Sequence, residues 1–509
     1  MQELNNSQFL SLLRKQSVEI HARDGRLQIN APAGALNPEI RAELVRRKDG
    51  LLCELNEGPQ GDVPLAHMER PARIPQTHAQ QRLWLIDKFE PGNAAYNIPE
   101  AFILDGPIHA EALQKAVDGL VIRHETLRTY FYQDDGELFQ AVCPAAAARV
   151  GFTDLSRLAE RDQALHDLMR QQARQPFDLR QAPLVRFHLF RLAEQQHVIF
   201  FNIQHIIADR WSLNILLKEL SALYQAAIKG ETASLPDIPV QYADYAIWES
   251  KHLKSEAIKG QIQYWKRKLA GIPPYLELPC SRPYPRRRTA WGATVPVEIP
   301  ASLRDALGRI GREENASLFI TLLAALAVLL HRSSGQEDFC IGSPITHRKR
   351  VGTEPIIGLF VNMLVYRCEF GAPPSFREFL SSMRDTALEA YENSDVPFQE
   401  IVSALNPDRK SRRSPFFQVM LGFDAATPRA SDGLLQIDTD PGTARFDLTL
   451  QLSDRPEGIS GRFEYCTDLF DESAVAQLSE LFLVLLQEIA SHPDKVISRL
   501  GNPYCEVRK

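Results

Sequence analysis

Several features that would assign this chain to a common class of protein are missing from its sequence. No apolar run reaches the roughly 20 residues of a membrane-spanning helix, and the N-terminus lacks the basic and apolar regions of a signal peptide. There is no glycine-rich phosphate-binding loop, and no long basic stripe accompanies the net charge of −6. We therefore expect no membrane and no nucleic acid among its partners.

The spacing of the cysteines follows no disulfide or metal-binding pattern. The seven cysteines are odd in number and scattered, without a CxxC pair. This pattern argues against a disulfide framework and against a zinc site, and it is typical of a reducing compartment. We expect a cytoplasmic protein without a metal and without a cofactor bound by this chain.

The overall amino-acid composition is that of an ordinary globular protein. Hydrophobic residues make up 44% of the 509 positions and charged residues 24%. A chain of this length is expected to form two to four domains, each with its own core.

The first 57 residues read as a small separate unit. A short helix around Phe9 is followed by two alternating apolar segments on either side of Asp24-Gly25, which is a strong hairpin-turn signal. Asn37-Pro38 then opens one or two further helices. The glycines and prolines of residues 58–71 indicate a linker.

The most informative stretch lies near the middle of the chain. Val198 to Ile203 reads as a buried strand, and apolar residues at helical spacing follow Ser212, a plausible N-cap. His205 therefore lies on the turn between a strand and a helix, where α/β folds tend to place reactive groups. A lone histidine in such a place is more often structural than catalytic, so the residues by themselves leave both interpretations open.

This stretch resembles the HHxxxDG signature of nonribosomal peptide synthetase condensation domains, which chloramphenicol acetyltransferase shares. His205 and Asp209 match the second histidine and the aspartate, whereas Gln204 and Arg210 replace the first histidine and the glycine. Eight other family phrases occur along the chain, at 77–84, 123–129, 242–248, 342–348, 357–363, 395–398, 414–420 and 445–450.

The resemblance implies an α/β fold with two chloramphenicol acetyltransferase-like αβ-sandwich lobes. We expect these lobes at 72–250 and 290–495, arranged as a V around a central tunnel and connected by residues 251–289. Residues 496–509 would begin a linker to a downstream domain. Within the connecting segment, the run Arg286 to Arg288 is expected to be a solvated charge run rather than a phosphate site.

The resemblance also implies a reaction and a set of site residues. An amine on one carrier protein would attack a thioester on another, both held on phosphopantetheine arms, with His205 as base or positioning group. Asp209 would be structural support, paired with Arg348 or, as second choice, with Arg282. The remaining candidate residues of the tunnel and motif are Gln204, Arg210, Trp211, Ser212 and Asn362.

The N-terminal unit resembles the TubC-type docking domains that begin some synthetase subunits. In that family an exposed strand edge binds the C-terminal tail of the upstream subunit as an added strand. The candidate docking residues are Arg23, Arg26, Leu27 and Ile29, with the arginines facing an acidic tail.

Two alternatives to an active condensation domain remain at this point. The two departures from the signature would suit a catalytically degenerate docking scaffold, and an epimerisation-type relative shares the histidine signature. The paired aspartates of heterocyclising domains are absent from residues 204–212. Resemblance of Asp209-Arg210-Trp211-Ser212 to domains that take polyketide-derived acyl chains favours a hybrid polyketide/peptide assembly line.

Overall fold

The structure of the chain is a computed structural model. It describes residues 9, 13, 19–23, 26–30, 38–57, 65–144, 147–286, 288–348, 350, 352–371, 374–406, 413–425, 435–437 and 439–500.

The N-terminal unit is a hairpin covered by helices. Its elements are β1 (Glu19–Arg23), β2 (Arg26–Asn30), α1 (Pro38–Arg46) and α2 (Lys48–Glu57). The hairpin is antiparallel, with Ile20 opposite Ile29 and Ala22 opposite Leu27. Its small core consists of Phe9, Leu13, Ile20, Ile40, Leu44 and Leu51, with Leu27 packed against it. The two strands and the helices after them are present in the predicted order. The first predicted helix is described only at Phe9 and Leu13, and the turn residues 24–25 and the side chains of Arg23, Arg26 and Ile29 lie outside the described part.

The first lobe combines a five-stranded sheet, a three-stranded sheet and helices. Its strands are β3 (Ile74–Pro75), β4 (Asn97–Asp105), β5 (Thr129–Asp134), β6 (Glu137–Val142), β7 (Val150–Asp154), β8 (Val185–Ala193) and β9 (Gln196–Gln204). Its helices are α3 (His78–Phe89), α4 (Ala110–Arg123), α5 (Arg161–Arg174), α6 (Arg210–Lys229) and α7 (Tyr242–His252). One face of the larger sheet packs on α4 and α6, and the other packs on α5.

The second lobe is built on a six-stranded sheet. Its helices are α8 (Glu256–Lys268), α9 (Ala301–Glu313), α10 (Leu318–Ser334), α11 (Phe376–Glu392), α12 (Phe398–Leu405) and α13 (Glu472–Ser491). Its strands are β10 (Gly292–Pro300), β11 (Asp338–Thr346), β12 (Val361–Glu369), β13 (Val419–Asp424), β15 (Leu448–Arg455) and β16 (Gly458–Cys466), in the order β10-β16-β15-β13-β11-β12. The predicted two-lobed α/β fold is confirmed.

Two segments of the second half of the chain belong physically to the first lobe. β14 (Gln436–Ile437) adds to the edge of the first sheet beside β4, giving the order β14-β4-β9-β8-β7. Residues 356–360 insert four apolar side chains into the core of the first lobe. At Gly358 any Cβ would lie 1.9 Å from the Tyr242 ring, so this close approach requires glycine. The lobes are therefore joined by shared packing.

The predicted connectors are more structured than their composition suggests. Within 251–289 lies helix α8, whose Ile258 and Trp265 are buried in the second core. Residues 496–500, predicted to begin a linker, instead close the second lobe, because Ile497 and Leu500 are buried there. The end of the predicted 58–71 linker is also fixed, since Met68 N donates to a carboxylate oxygen of Asp244 at 3.1 Å.

Helix α13 is the one described helix that is long and apolar enough by itself to cross a membrane. Val475, Phe482 and Leu486 on its inner face are fully buried in the core of the second lobe, whereas Val484 is 39% exposed. The apolar character of α13 is therefore accounted for by packing between α9, α10 and the six-stranded sheet.

Candidate functional site

The central turn begins where the first sheet ends. β9 is buried along nearly its whole length, and a single 3₁₀ turn, His205–Ile207, connects it to α6. The side-chain oxygen of Gln204 accepts a hydrogen bond from the main-chain N–H of Ile206 at 2.6 Å. An amide thus caps the turn at the position where the family signature has its first histidine.

His205 is held in one tautomer. Its main-chain N–H donates to the carbonyl of Tyr96 at 2.8 Å, and its Nδ1 lies 2.7 Å from the carbonyl oxygen of Ala208. A carbonyl can only accept, so Nδ1 carries the proton and Nε2 keeps its lone pair. His205 as a residue is neither fully buried nor exposed.

The protonation of His205 is set by its surroundings. Burial, and next the positive charge of Arg445, lower the pKa of the imidazole to about 4, while the carboxylate of Asp209 acts in the opposite direction. The ring is therefore neutral near pH 7, which is the state that a general base requires.

Asp209 is the N-cap of α6 and is buried. One carboxylate oxygen accepts hydrogen bonds from the N–H and hydroxyl of Ser212, at 2.8 and 2.7 Å. The other accepts from the main-chain N–H of Phe360, in the 356–360 segment that packs into the first core, at 3.0 Å. Asp209 therefore fixes the His205 turn, the start of α6 and this inserted segment together.

The predicted partner of Asp209 is present. The guanidinium of Arg348 lies 3.1 Å from the Asp209 carboxylate, and both side chains are almost inaccessible to solvent, at 3% and 2%. Arg348 also donates to the carbonyls of Thr353 and Ile356, at 2.6 and 2.7 Å. The second candidate, Arg282, pairs instead with Asp471 at the start of α13.

Ser212 and Trp211 extend this connection between the lobes. The Ser212 hydroxyl lies within 3.0 Å of Arg348 Nη2 and of the main-chain N–H of Gly358. The indole N–H of Trp211 donates to the carbonyl of Glu354 at 3.0 Å. Both residues of the motif therefore contact the second lobe directly.

Arg210 is accommodated by a buried acid. Its guanidinium lies 2.7 Å from the carboxylate of Glu100 on β4, and Glu100 also accepts from the side-chain amide of Gln436 on β14. The arginine side chain is about half exposed, whereas that of Glu100 is buried. Through Glu100, Arg210 thus links the start of α6 to β14.

Asn362 has a different environment from the one expected of a tunnel residue. Its Nδ2 donates to the carbonyls of Ser394 and Val396, at 3.1 and 2.8 Å, and its Oδ1 accepts from the N–H groups of Met363 and Phe398. The side-chain amide is occupied by main-chain groups, so Asn362 holds the segment 394–398 in place.

Two site residues were missed from the sequence. Arg445 approaches from the second lobe and donates from Nε to the carbonyl of Ala95 at 2.9 Å. Arg288, predicted to be solvated, instead donates to the main-chain carbonyls of residues 444–446. Arg445 opens a family phrase, which was the available signal, but nothing local marks either arginine as internal.

The two cavities found at the surface lie away from His205. One is lined by residues of the 67–74 segment and β6, and the other lies between α4, α6 and the loop 232–241. Across the described parts of the chain, no group of three or more histidine, cysteine, aspartate or glutamate side chains could hold a metal ion. The chemistry available at the turn is that of a neutral imidazole flanked by arginines.

Two open-sheet lobes with a histidine between them define the class of chloramphenicol acetyltransferase-like acyltransferases. The family model for the condensation domain matches residues 72–503, and that for the TubC N-terminal docking domain matches residues 7–57. The chain belongs to the condensation-domain family of nonribosomal peptide synthetases, which are amide-forming enzymes.

Relatives and solved structures agree with this assignment. One of the linear gramicidin synthase subunits of Brevibacillus parabrevis is 43% identical over 86% of the chain, and phosphinothricin tripeptide synthetase PhsC of Streptomyces viridochromogenes is 35% identical over 90%. The chain spans 9% and 42% of these two proteins. The X-domain in its teicoplanin-biosynthesis complex with OxyB is 29% identical, covers 87% of this chain and 99% of its own, and has a TM-score of 0.80.

A first prediction concerns the buried ion pair. Asp209→Ala leaves Arg348 charged, buried and without its carboxylate, so we expect a loss of about 3–5 kcal/mol in the free energy of unfolding. Denaturant unfolding measures it. Asp471→Ala is the control, because its pair with Arg282 is half exposed and is expected to contribute only about 0–1 kcal/mol. Equal losses in the two variants would contradict a special role for Asp209.

A second prediction concerns the arginine that replaces glycine. Arg210→Ala removes the cation beside buried Glu100, and we expect a loss of about 1 kcal/mol, reduced by the exposure of Arg210. In a Glu100→Gln background the same substitution should have a smaller effect, since no charge is then left unpaired. Denaturant unfolding of the native protein, the two single variants and the double variant measures this coupling. Strictly additive losses in the free energy of unfolding would refute it.

Proposed function

We propose that the chain joins an upstream acyl or peptidyl thioester to a downstream aminoacyl amine, with Nε2 of His205 as the proton acceptor. The amine nitrogen attacks the thioester carbon, and the tetrahedral intermediate then expels the thiolate. The amine proton passes to Nε2 and from there to the leaving sulfur. The observation that carries the proposal is the fixed tautomer of a neutral imidazole, whose Nε2 keeps its lone pair.

In this proposal, alignment of the two substrates lowers the reaction barrier more than proton transfer to His205 does. A thioester is already activated, and holding two reactants in position can supply about 7–11 kcal/mol of the barrier. We propose that the phosphopantetheine arms of the donor and acceptor carrier proteins enter between the lobes, and that the chain itself binds no cofactor. The contacts of Asp209, Trp211 and Ser212 across the lobes would fix the geometry of that passage.

The competing proposal of a degenerate scaffold rests on Gln204 and Arg210. Both departures are absorbed by the fold, since Gln204 caps the His205 turn and Arg210 pairs with Glu100. Neither contact involves the imidazole, which favours an active site over a degenerate one.

An epimerisation-type activity would be recognised by exchange of the α-proton on a loaded carrier. A polyketide-derived donor remains a proposal from the resemblance of residues 209–212.

For partners we propose the C-terminal tail of an upstream synthetase subunit, bound as a strand beside β1 or β2. A two-stranded hairpin has two edges at which an extended segment can add. Arg23 and Arg26, paired at the hairpin end, would meet an acidic tail, and Leu27 and Ile29 lie on the strand that follows. The five described cysteines are free thiols, which suits the cytoplasm as the proposed compartment.

A third prediction tests the base. His205→Ala should lower the rate of amide formation by about 10²–10⁴-fold, the usual contribution of a general base. Intact-mass analysis of acyl-loaded donor and aminoacyl-loaded acceptor carriers gives the rate. The melting temperature at pH 7 should be nearly unchanged, because within the described residues the imidazole makes one hydrogen bond, to the carbonyl of Ala208. A folded variant with an undiminished rate would favour the scaffold.

A fourth prediction tests the docking unit. Removal of residues 1–57 should abolish transfer from the native upstream subunit, yet spare transfer from donors supplied at high concentration. Binding of the upstream tail to the intact chain should weaken with salt, because exposed charge pairs are screened over about 10 Å at ~0.1 M. Equal loss with both kinds of donor would show that the unit is needed for the fold of the lobes.

A further inference from the structure

The segment before β15 brings a cation from the second lobe to the His205 turn. Arg445 donates from Nε to the carbonyl of Ala95 at 2.9 Å, and its guanidinium lies 5.3 Å from the centre of the Tyr96 ring. The next carbonyl, that of Tyr96, accepts the main-chain N–H of His205 at 2.8 Å. One dipeptide therefore connects Arg445 to the His205 turn.

The main chain around Arg445 is itself fixed. The guanidinium of Arg288 donates to the carbonyls of Ala444 and Arg445, at 3.0 and 3.1 Å, and to that of Phe446. It also lies 3.5 Å from the carboxylate of Asp447, and only 18% of the Arg288 side chain is exposed. Three successive carbonyls bound by one largely buried arginine leave the segment little freedom to move.

We propose that Arg445 is a positioning residue for His205, carried on a second-lobe segment that Arg288 holds in place. Through Ala95 it fixes the dipeptide whose carbonyl orients the turn. Its charge also opposes protonation of the imidazole, in the same direction as the larger effect of burial. The effect on rate rests on the proposed role of His205 as base, whereas the effect on protonation does not.

The other charges near His205 do not substitute for Arg445. On the same turn, Asp209 favours the protonated ring, but its carboxylate is paired with Arg348. Behind Arg445, on β16, the carboxylate of Glu464 lies 3.4 Å from the main-chain N of Arg445. Burial raises the pKa of Glu464, while the charge of Arg445 acts in the opposite direction. Arg445 is therefore the cation that lowers the pKa of His205.

The chain offers a matched control in Arg174 on α5. Like Arg445, it joins the two lobes through one carbonyl and one aromatic ring: Nε donates to Pro441 at 2.7 Å, and the guanidinium lies 4.6 Å from the centre of the Trp291 ring. Its charge is not among those that shift the pKa of His205. The two arginines thus share a structural role and differ in their relation to the imidazole.

The experiment compares Arg445→Gln, Arg445→Lys and Arg174→Gln in the full chain. The His205 ring is titrated by NMR with labelled histidine, its signal identified by its loss in His205→Ala, and amide formation is followed against pH. In Arg445→Gln we expect the His205 pKa and the acid limb of the rate profile to rise by about one pH unit or more, the usual effect of one nearby charge. In Arg445→Lys, which keeps the charge, the His205 titration should stay close to that of the native protein. In Arg174→Gln the His205 titration should also match that of the native protein.

An unchanged His205 titration in Arg445→Gln, or the same shift in Arg174→Gln, would overturn the inference. So would a shift in Arg445→Lys as large as that in Arg445→Gln, because the charge would then not be the cause. If Arg445→Gln does not fold, Arg445→Met, which also removes the charge, takes its place and is judged by the same outcomes. A titration that moves while His205→Ala leaves the rate unchanged would refute the base and leave the role of Arg445 standing.

Discussion

A buried ion pair between two distant parts of the chain holds the site together. Asp209 and Arg348 are 139 positions apart and lie in different lobes, yet their side chains meet at 3.1 Å with almost no access to solvent. Burying two charges is unfavourable unless the remaining hydrogen-bonding groups are satisfied. The N–H groups of Ser212 and Phe360 and the carbonyls of Thr353 and Ile356 satisfy most of these groups. The Nε–H of Arg348 is buried without a partner among the described residues. The conformation of the His205 turn therefore depends on the contact between the lobes.

The lobes are also joined by main-chain and apolar contacts that act independently of this pair. β14 extends the first sheet, and residues 356–360 pack into the first core, so separating the lobes would expose both apolar surface and unpaired strand groups. Arg445 and Arg288 add a polar connection on the His205 side. A site assembled from two lobes in this way keeps its geometry only while both are folded.

The two unusual residues of the motif show how a substitution can be accommodated without altering the imidazole. Gln204 offers a side-chain oxygen to the turn, which is all that the cap requires. Arg210 needs a partner, and Glu100 on the neighbouring strand supplies it together with Gln436. Because β14 carries Gln436, the arginine also contributes to the joining of the lobes.

Local chemistry in the sequence was enough for the elements of the site. The apolar run into Gln204 and the helical spacing after Ser212 predict β9 and α6. The predicted N-cap was wrong, because α6 begins at Arg210 with Asp209, not Ser212, as its N-cap. The resemblance of residues 204–212 and 342–348 to family phrases selected Arg348 over Arg282. The tertiary structure alone decided which way each long side chain turns: Arg288 inward to three carbonyls, Arg445 across to Ala95, Asn362 onto residues 394–398. It also decided that β14 belongs to the first sheet. Those outcomes depend on partners far away in sequence, and neither periodicity nor composition carries information about such partners.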